Sequence, residues 1–174
     1  GAAAAIGAIV AVGAALVKLG KASLDFQKAQ AKLNTAFQSM GSTAKQAAES
    51  YNGLFRFLGD TDKSAEAAAH LAKLTTNQKE LAEWTKVCQG IYATFGDSLP
   101  IEGLTEAANE TARVGQVTGT LADALNWAGV SEDEFNAKLA KCTSYSEREA
   151  LIRSTLNGLY TDAAEIYEKN NKKL

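Results

Sequence analysis

Few residues in this chain are equipped for chemistry, and their spacing limits what they can do. Glu102, Glu106 and Glu110 recur every four residues, which places three carboxylates on one face of a helix. Acid–base catalysis by carboxylates needs two groups opposed across a substrate, in surroundings that split their pKa values. Three in register, with Arg113 three residues after Glu110, read as a solvated, salt-bridged stripe. The one histidine, His70, follows Glu66-Ala-Ala-Ala on a helical stretch, and no second ligand stands near it at metal-site spacing. Cys88 and Cys142 are the two cysteines. They form no CxxC pair and no disulfide framework, so free, buried thiols in a reducing compartment are expected. A Cys88–His70 nucleophile pair would still need a third, orienting group. The sequence contains no P-loop, strand-borne GxGxxG, HExxH or GxSxG. No enzyme, cofactor or metal is therefore expected.

Charge and aromatics exclude further classes. The formal net charge is −2, which gives no global case for nucleic acid. It is unevenly spread, with +3 over residues 1–60 and −5 over the remainder. Trp84, Tyr92, Phe95, Trp127 and Phe135 fall on apolar helix faces and are expected in a core. A base-stacking platform would need aromatics interleaved with basic residues on an exposed surface.

The elements that must position these residues are helical. No stretch alternates with period two, and proline occurs once, at Pro100. Apolar stripes step around helix faces at Ala47, Tyr51, Leu54, Phe55 and Leu58, then at Leu81, Trp84, Cys88, Ile91 and Phe95. Two more are Leu121, Ala124, Leu125 and Ala128, and Leu151, Thr155, Leu156 and Leu159. Ser131 with Glu134, and Ser144 with Glu147, have capping-box spacing, while Gly96 and Gly129 read as helix stops. The expected helices cover 3–40, 43–58, 62–73, 77–95, 100–115, 119–128, 132–141, 145–158 and 161–172. The fold class is all-α: a long N-terminal helix over residues 1–40, leading into a compact multi-helix domain over 41–174 with short capped loops.

The leading helix differs from the others. Leu19, Phe26, Leu33 and Met40 recur every seven residues, with Leu16, Ser23, Gln30 and Phe37 as companions. Over about three heptads this resembles a coiled-coil seam, and Leu16, Leu19, Phe26, Leu33, Phe37 and Met40 are its candidate self-assembly residues. Lys18, Lys21, Asp25, Lys28 and Lys32 lie on the far side. They form either a solvated ion-paired face or a basic face turned toward acidic lipid, nucleic acid or an acidic protein wall.

Residues 74–171 resemble the tape-measure protein of long-tailed bacteriophages. The resemblance lies in GLTEAANETARVGQVTGTLADALNWAG (103–129), VSEDEFNAKLAKC (130–142) and EREALIRSTLNGLY (147–160). The Ala/Gly-rich start running into KASLDFQKAQAKLNTAF (21–37) is similar to the same family, and residues 41–73 match least. The resemblance implies a structural virion protein. Several copies would lie inside the tail tube, set tail length and leave ahead of the DNA during ejection. The implied partners are further copies of itself, the tail tube protein, tail tip proteins and tail assembly chaperones, with the host membrane during ejection and no specific nucleic acid sequence. The implied location is the virion tail, and the host cytoplasm during assembly. The family core supplies no catalytic residue to carry over. One departure is plain: a continuous helix of this length would measure roughly 260 Å at about 1.5 Å per residue, yet capped breaks recur every ten to twenty residues. Residues 43–172 therefore read as a compact helical domain within or ending the ruler. Position 1 is Gly, which reads as a segment cut from a longer protein.

The opening GAAAAIGAIVAVGAALV runs seventeen residues before the first charge, Lys18. With no basic residues ahead of it, it does not read as a signal peptide. As a helix it reaches about 25 Å, against a hydrocarbon core of about 30 Å. Ile6, Ile9, Val10, Val12, Leu16 and Val17 are its strongly apolar members. The run is read as a protein-packed helix and a conditional membrane segment. The alternative function it leaves open is a membrane-active, pore-forming or toxin-like helical module.

Overall fold

A computed structural model describes residues 24–171, with the backbone alone for Leu24, Asp25, Phe26, Gln30 and Ala44. Among the described residues there are eight α-helices and no strand: α1 (Leu24–Ser39), α2 (Ala44–Leu58), α3 (Thr61–Leu74), α4 (Gln78–Phe95), α5 (Ile101–Val114), α6 (Gly119–Asn126), α7 (Glu132–Ala140) and α8 (Tyr145–Asn171). A 3-10 turn, Gly96–Ser98, follows α4. The all-α reading is borne out. Of the long leading helix only α1 falls within the described residues; the remainder, with Leu16 and Leu19, lies outside them.

The chain forms two compact units, one up to Leu81 and one from Ala82. The division falls within the first turn of α4, and the boundary expected after residue 40 lies inside the first unit.

In the first unit α1 packs chiefly on α3, and α2 packs on both. The core holds Leu33 and Phe37 of α1, Ala47, Tyr51 and Leu54 of α2, and Leu71 and Leu74 of α3. α3 is built for close approach, because Ala65, Ala67, Ala68, Ala69 and Ala72 are all buried. The Tyr51 and Phe55 rings stack at 5.8 Å.

In the second unit α5 packs on α6 and α8, and α6 touches α7. The core draws Trp84, Cys88 and Ile91 from α4, Leu104 and Ala108 from α5, and Leu121 and Leu125 from α6. Phe135 of α7 and Ile152, Leu156 and Tyr160 of α8 complete it. Gly90 marks a close crossing of α4 and α8: a Cβ there would lie 2.0 Å from the carbonyl oxygen of Tyr160.

Local chemistry explains where the helices begin and end. Thr43 Oγ1 accepts from the Gln46 amide at 3.1 Å and Gln46 Oε1 accepts from the Thr43 amide at 2.8 Å, a reciprocal capping box. Asp60 Oδ1 caps α3 through the Lys63 amide at 2.8 Å, and Asn77 Oδ1 caps α4 through the Glu80 amide at 3.0 Å. Each such cap contributes about 1 kcal/mol. Ser131 and Ser144 cap as their spacing predicts, accepting from Glu134 and Glu147 amides at 3.3 and 3.1 Å. Glu147, however, reaches one residue further back than a capping box, to the Thr143 amide at 2.6 Å. Gly59 closes α2 at φ 65°, a left-handed conformation that a side chain disfavours.

α8 departs from expectation. A break was expected between residues 158 and 161, yet the helix runs unbroken through Gly158 and Thr161. Two effects override the local breakers. Thr161 Oγ1 donates to Asn157 Oδ1 one turn back instead of capping a new helix. Ile152, Leu156, Tyr160 and Ala164 are all buried at four-residue spacing, so one packed face spans the expected break. That face also differs from the expected Leu151, Thr155, Leu156 and Leu159 stripe. Leu156 is shared, Leu151 and Thr155 are half-buried, and Leu159 is exposed.

Candidate functional site

The groups expected to be non-catalytic sit in settings that can be read one by one. Glu102 is half-buried and Glu106 exposed. Glu110 accepts from Arg113 Nη2 and Nε at 2.5 and 3.1 Å. That pairing holds the Glu110 carboxyl below the usual carboxylate range and raises Arg113 in turn. Cys88 is fully buried, and loss of hydration alone pushes its thiol up to about 12. A thiol held neutral in this way is no nucleophile near neutral pH. Cys142 is half-buried at the end of α7, its Sγ 3.6 Å from the Lys138 carbonyl.

A charged cluster that the sequence did not single out lies inside the second unit. Glu149 is buried on α8, and its Oε2 accepts from Trp84 Nε1 and Arg153 Nε, both at 2.8 Å. Arg153 also donates Nη1 to Glu83. Glu83 and Trp84 come from α4, and Glu149 and Arg153 are one turn apart on α8, so the cluster ties two helices together. The side chain of Glu149 is 5% exposed and that of Arg153 is 12% exposed. Removing one partner of so dry a pair costs roughly 3–5 kcal/mol, because the other charge is left uncompensated. A trace was present in the sequence: Glu149 stands one turn before Arg153 and in line with the apolar positions Ile152 and Leu156. Next to it, burial and the Glu149 charge push the Tyr145 hydroxyl up to about 12, and that hydroxyl donates to Asn109 Oδ1 at 2.6 Å.

The candidate self-assembly residues divide. Leu33 and Phe37 are buried, 1% and 2% exposed, in the packing of the first unit, whereas Met40 is 41% exposed. Leu16 and Leu19 lie outside the described residues, as does the Phe26 side chain. The conditional membrane segment Ile6, Ile9, Val10, Val12, Leu16 and Val17 also lies outside them. No described helix is long and apolar enough to cross a membrane.

The basic face of α1 borders a cleft. Lys28 and Lys32, both exposed, line a cavity of about 490 Å³ between α1 and α3, together with Ala36 of α1 and Glu66, Ala69, His70 and Lys73 of α3. Among the aromatics, Trp84 and Phe135 are buried as expected. Trp127 is not in a core: it is 52% exposed, with one ring face against Phe95 at 5.0 Å between centroids.

Comparison with protein-family models, curated proteins and solved structures yields no match for this chain.

Proposed function

We propose that the chain is a structural segment of a tape-measure protein of a long-tailed bacteriophage. In that role it is a helical module that lies in the tail tube, takes part in setting tail length and leaves ahead of the DNA during ejection. Its partners are other copies of itself, the tail tube protein, tail tip proteins and tail assembly chaperones. The sequence phrases at 103–129, 130–142 and 147–160 are the basis of the assignment. The observation that supports it most is the use of reactive groups as packing. The buried acid Glu149 is held by Arg153 and Trp84, and the buried thiol of Cys88 is sealed from ionisation. An active site leaves such groups facing a cleft.

The test is an in-frame deletion of residues 1–174 from the parent phage gene, with tail length measured by electron microscopy and infectivity by plaque count. Shortened or misassembled tails are expected. Tails of normal length with normal infectivity would refute the assignment.

A further inference from the structure

The cleft between α1 and α3 is lined by Lys28, Lys32 and Lys73, with Glu66 and His70 beside them. Lys28 and Lys32 stand one turn apart on its edge, and neither forms an ion pair with any residue whose side chain is described. Ala31, Ala36 and Ala69 supply the apolar part of its lining, beside Thr35 and Ser39. A volume of about 490 Å³ admits an aromatic side chain with its neighbours. The complementary shape and charge occur elsewhere in the same sequence. Trp127 is 52% exposed. Residues 126–129 around it are exposed, and so are Glu132, Asp133 and Glu134 in the first turn of α7. Those three carboxylates likewise form no ion pair among the described residues.

We infer that copies of this chain associate head to tail, the Trp127–Glu134 segment of one copy seated in the α1–α3 cleft of the next. Trp127 rests against the cleft's alanines, and the three carboxylates face Lys28 and Lys32. An exposed tryptophan flanked by charge is the usual form of an interface anchor. A lipid surface or a nucleic acid suits the cleft less well. Glu66 lines the cleft itself and Asp62 its continuation, and a dense polyanion would meet both, whereas a short acidic loop brings only three carboxylates to a lining that also holds Lys28, Lys32 and Lys73. The contact joins two different surfaces, so it propagates along a row of copies unless the rotation closes a ring. This inference stands apart from the tail assignment and is tested in solution without any phage.

Sedimentation equilibrium of the 174-residue chain is expected to show a mass that rises with concentration and falls as salt increases from 0.05 to 0.5 M, on the order of the screening expected for exposed charges. Lys28→Glu with Lys32→Glu, and Glu132→Lys with Asp133→Lys and Glu134→Lys, alter exposed residues only, so circular dichroism should stay unchanged. Each variant alone should lose at least about tenfold in affinity, and an equimolar mixture of the two should regain it. Trp127→Ala should lose at least about tenfold at every salt concentration. A chain that stays monomeric throughout overturns the inference. So does association untouched by the charge variants, or a mixture that fails to recover.

Discussion

Replacing Gly90 by alanine probes the helix crossing on which the second unit depends. Two terms oppose each other. Alanine is intrinsically better than glycine inside a helix by about 1 kcal/mol. Against that, the new Cβ would stand 2.0 Å from the Tyr160 carbonyl oxygen, 2.9 Å from its carbon and 3.0 Å from its Cβ. Ordinary contacts between heavy atoms of this kind lie near 3.5 Å, so the two helices would have to part by more than about 1 Å. The obstacle is backbone and cannot swing aside. Tyr160 also donates its hydroxyl to the Ala124 carbonyl and packs its ring on Phe95 at 5.8 Å, so a displaced α8 disturbs α6 as well. Overpacking of this sort costs typically 1–3 kcal/mol, and the upper end applies. After the propensity gain, a net loss of about 2 kcal/mol remains. With an m-value of about 2 kcal/mol/M, the urea midpoint should fall by about 1 M. Gly158→Ala is the internal control. It lies within α8, at the expected break, with nothing within 4 Å of an added Cβ. That variant should gain about 0.5–1 kcal/mol. Gly90→Ala as stable as the parent, or Gly158→Ala clearly destabilised, would refute the reasoning.

Four further outcomes are expected. Arg153→Met should destabilise by roughly 3 kcal/mol or more in urea unfolding, because Glu149 is left buried and charged, and Glu149→Leu added to it should recover a large part of that loss. The folded Tyr145 hydroxyl ionises near 12, whereas a free tyrosine does so near 10. The native state therefore holds more protons in between, and stability present below about pH 10 should decline as pH rises toward 12. Tyr145→Phe should lessen that decline, as followed by unfolding midpoint against pH. Cys142 should react with a thiol reagent at pH 8 far faster than Cys88, whose labelling should follow unfolding; prompt reaction at Cys88 would contradict its burial. Dye leakage from liposomes should depend on residues 1–20 if they form the conditional membrane segment, and identical leakage with and without them would dismiss that role.

Capping chemistry was the most legible layer of the sequence, because a cap is a contact between residues two or three apart. Ser131 and Ser144 mark boundaries that depend on nothing distant. Packing was less legible. Leu33 and Phe37 lie four apart, a spacing that suits a seam between copies and a face buried within one unit equally well, and the structure uses them for the second. Gly158 and Thr161-Asp162 carry helix-breaking character worth about 1 kcal/mol each, less than the buried face running past them contributes. The Glu149 cluster is hidden from the sequence because Trp84, which donates to Glu149, and Glu83, which accepts from Arg153, arrive from some seventy residues away. The division after Leu81 left no mark of composition, since it falls inside a helix. Trp127 reads as a core residue in the sequence because periodicity records which residues share a face and not whether anything covers that face.

The alanine face of α3 has a thermodynamic side. Burying alanine freezes no side-chain rotamer, so the alanines of α3 cost little beyond backbone order, and the rotamer cost of the first unit falls on larger core residues such as Leu33 and Phe37. Each alanine also removes little apolar area from water, so its share of the heat capacity of unfolding is small. The face is also asymmetric toward change. Nothing is smaller than alanine except glycine, which loosens the helix, and anything larger prises α1 and α3 apart.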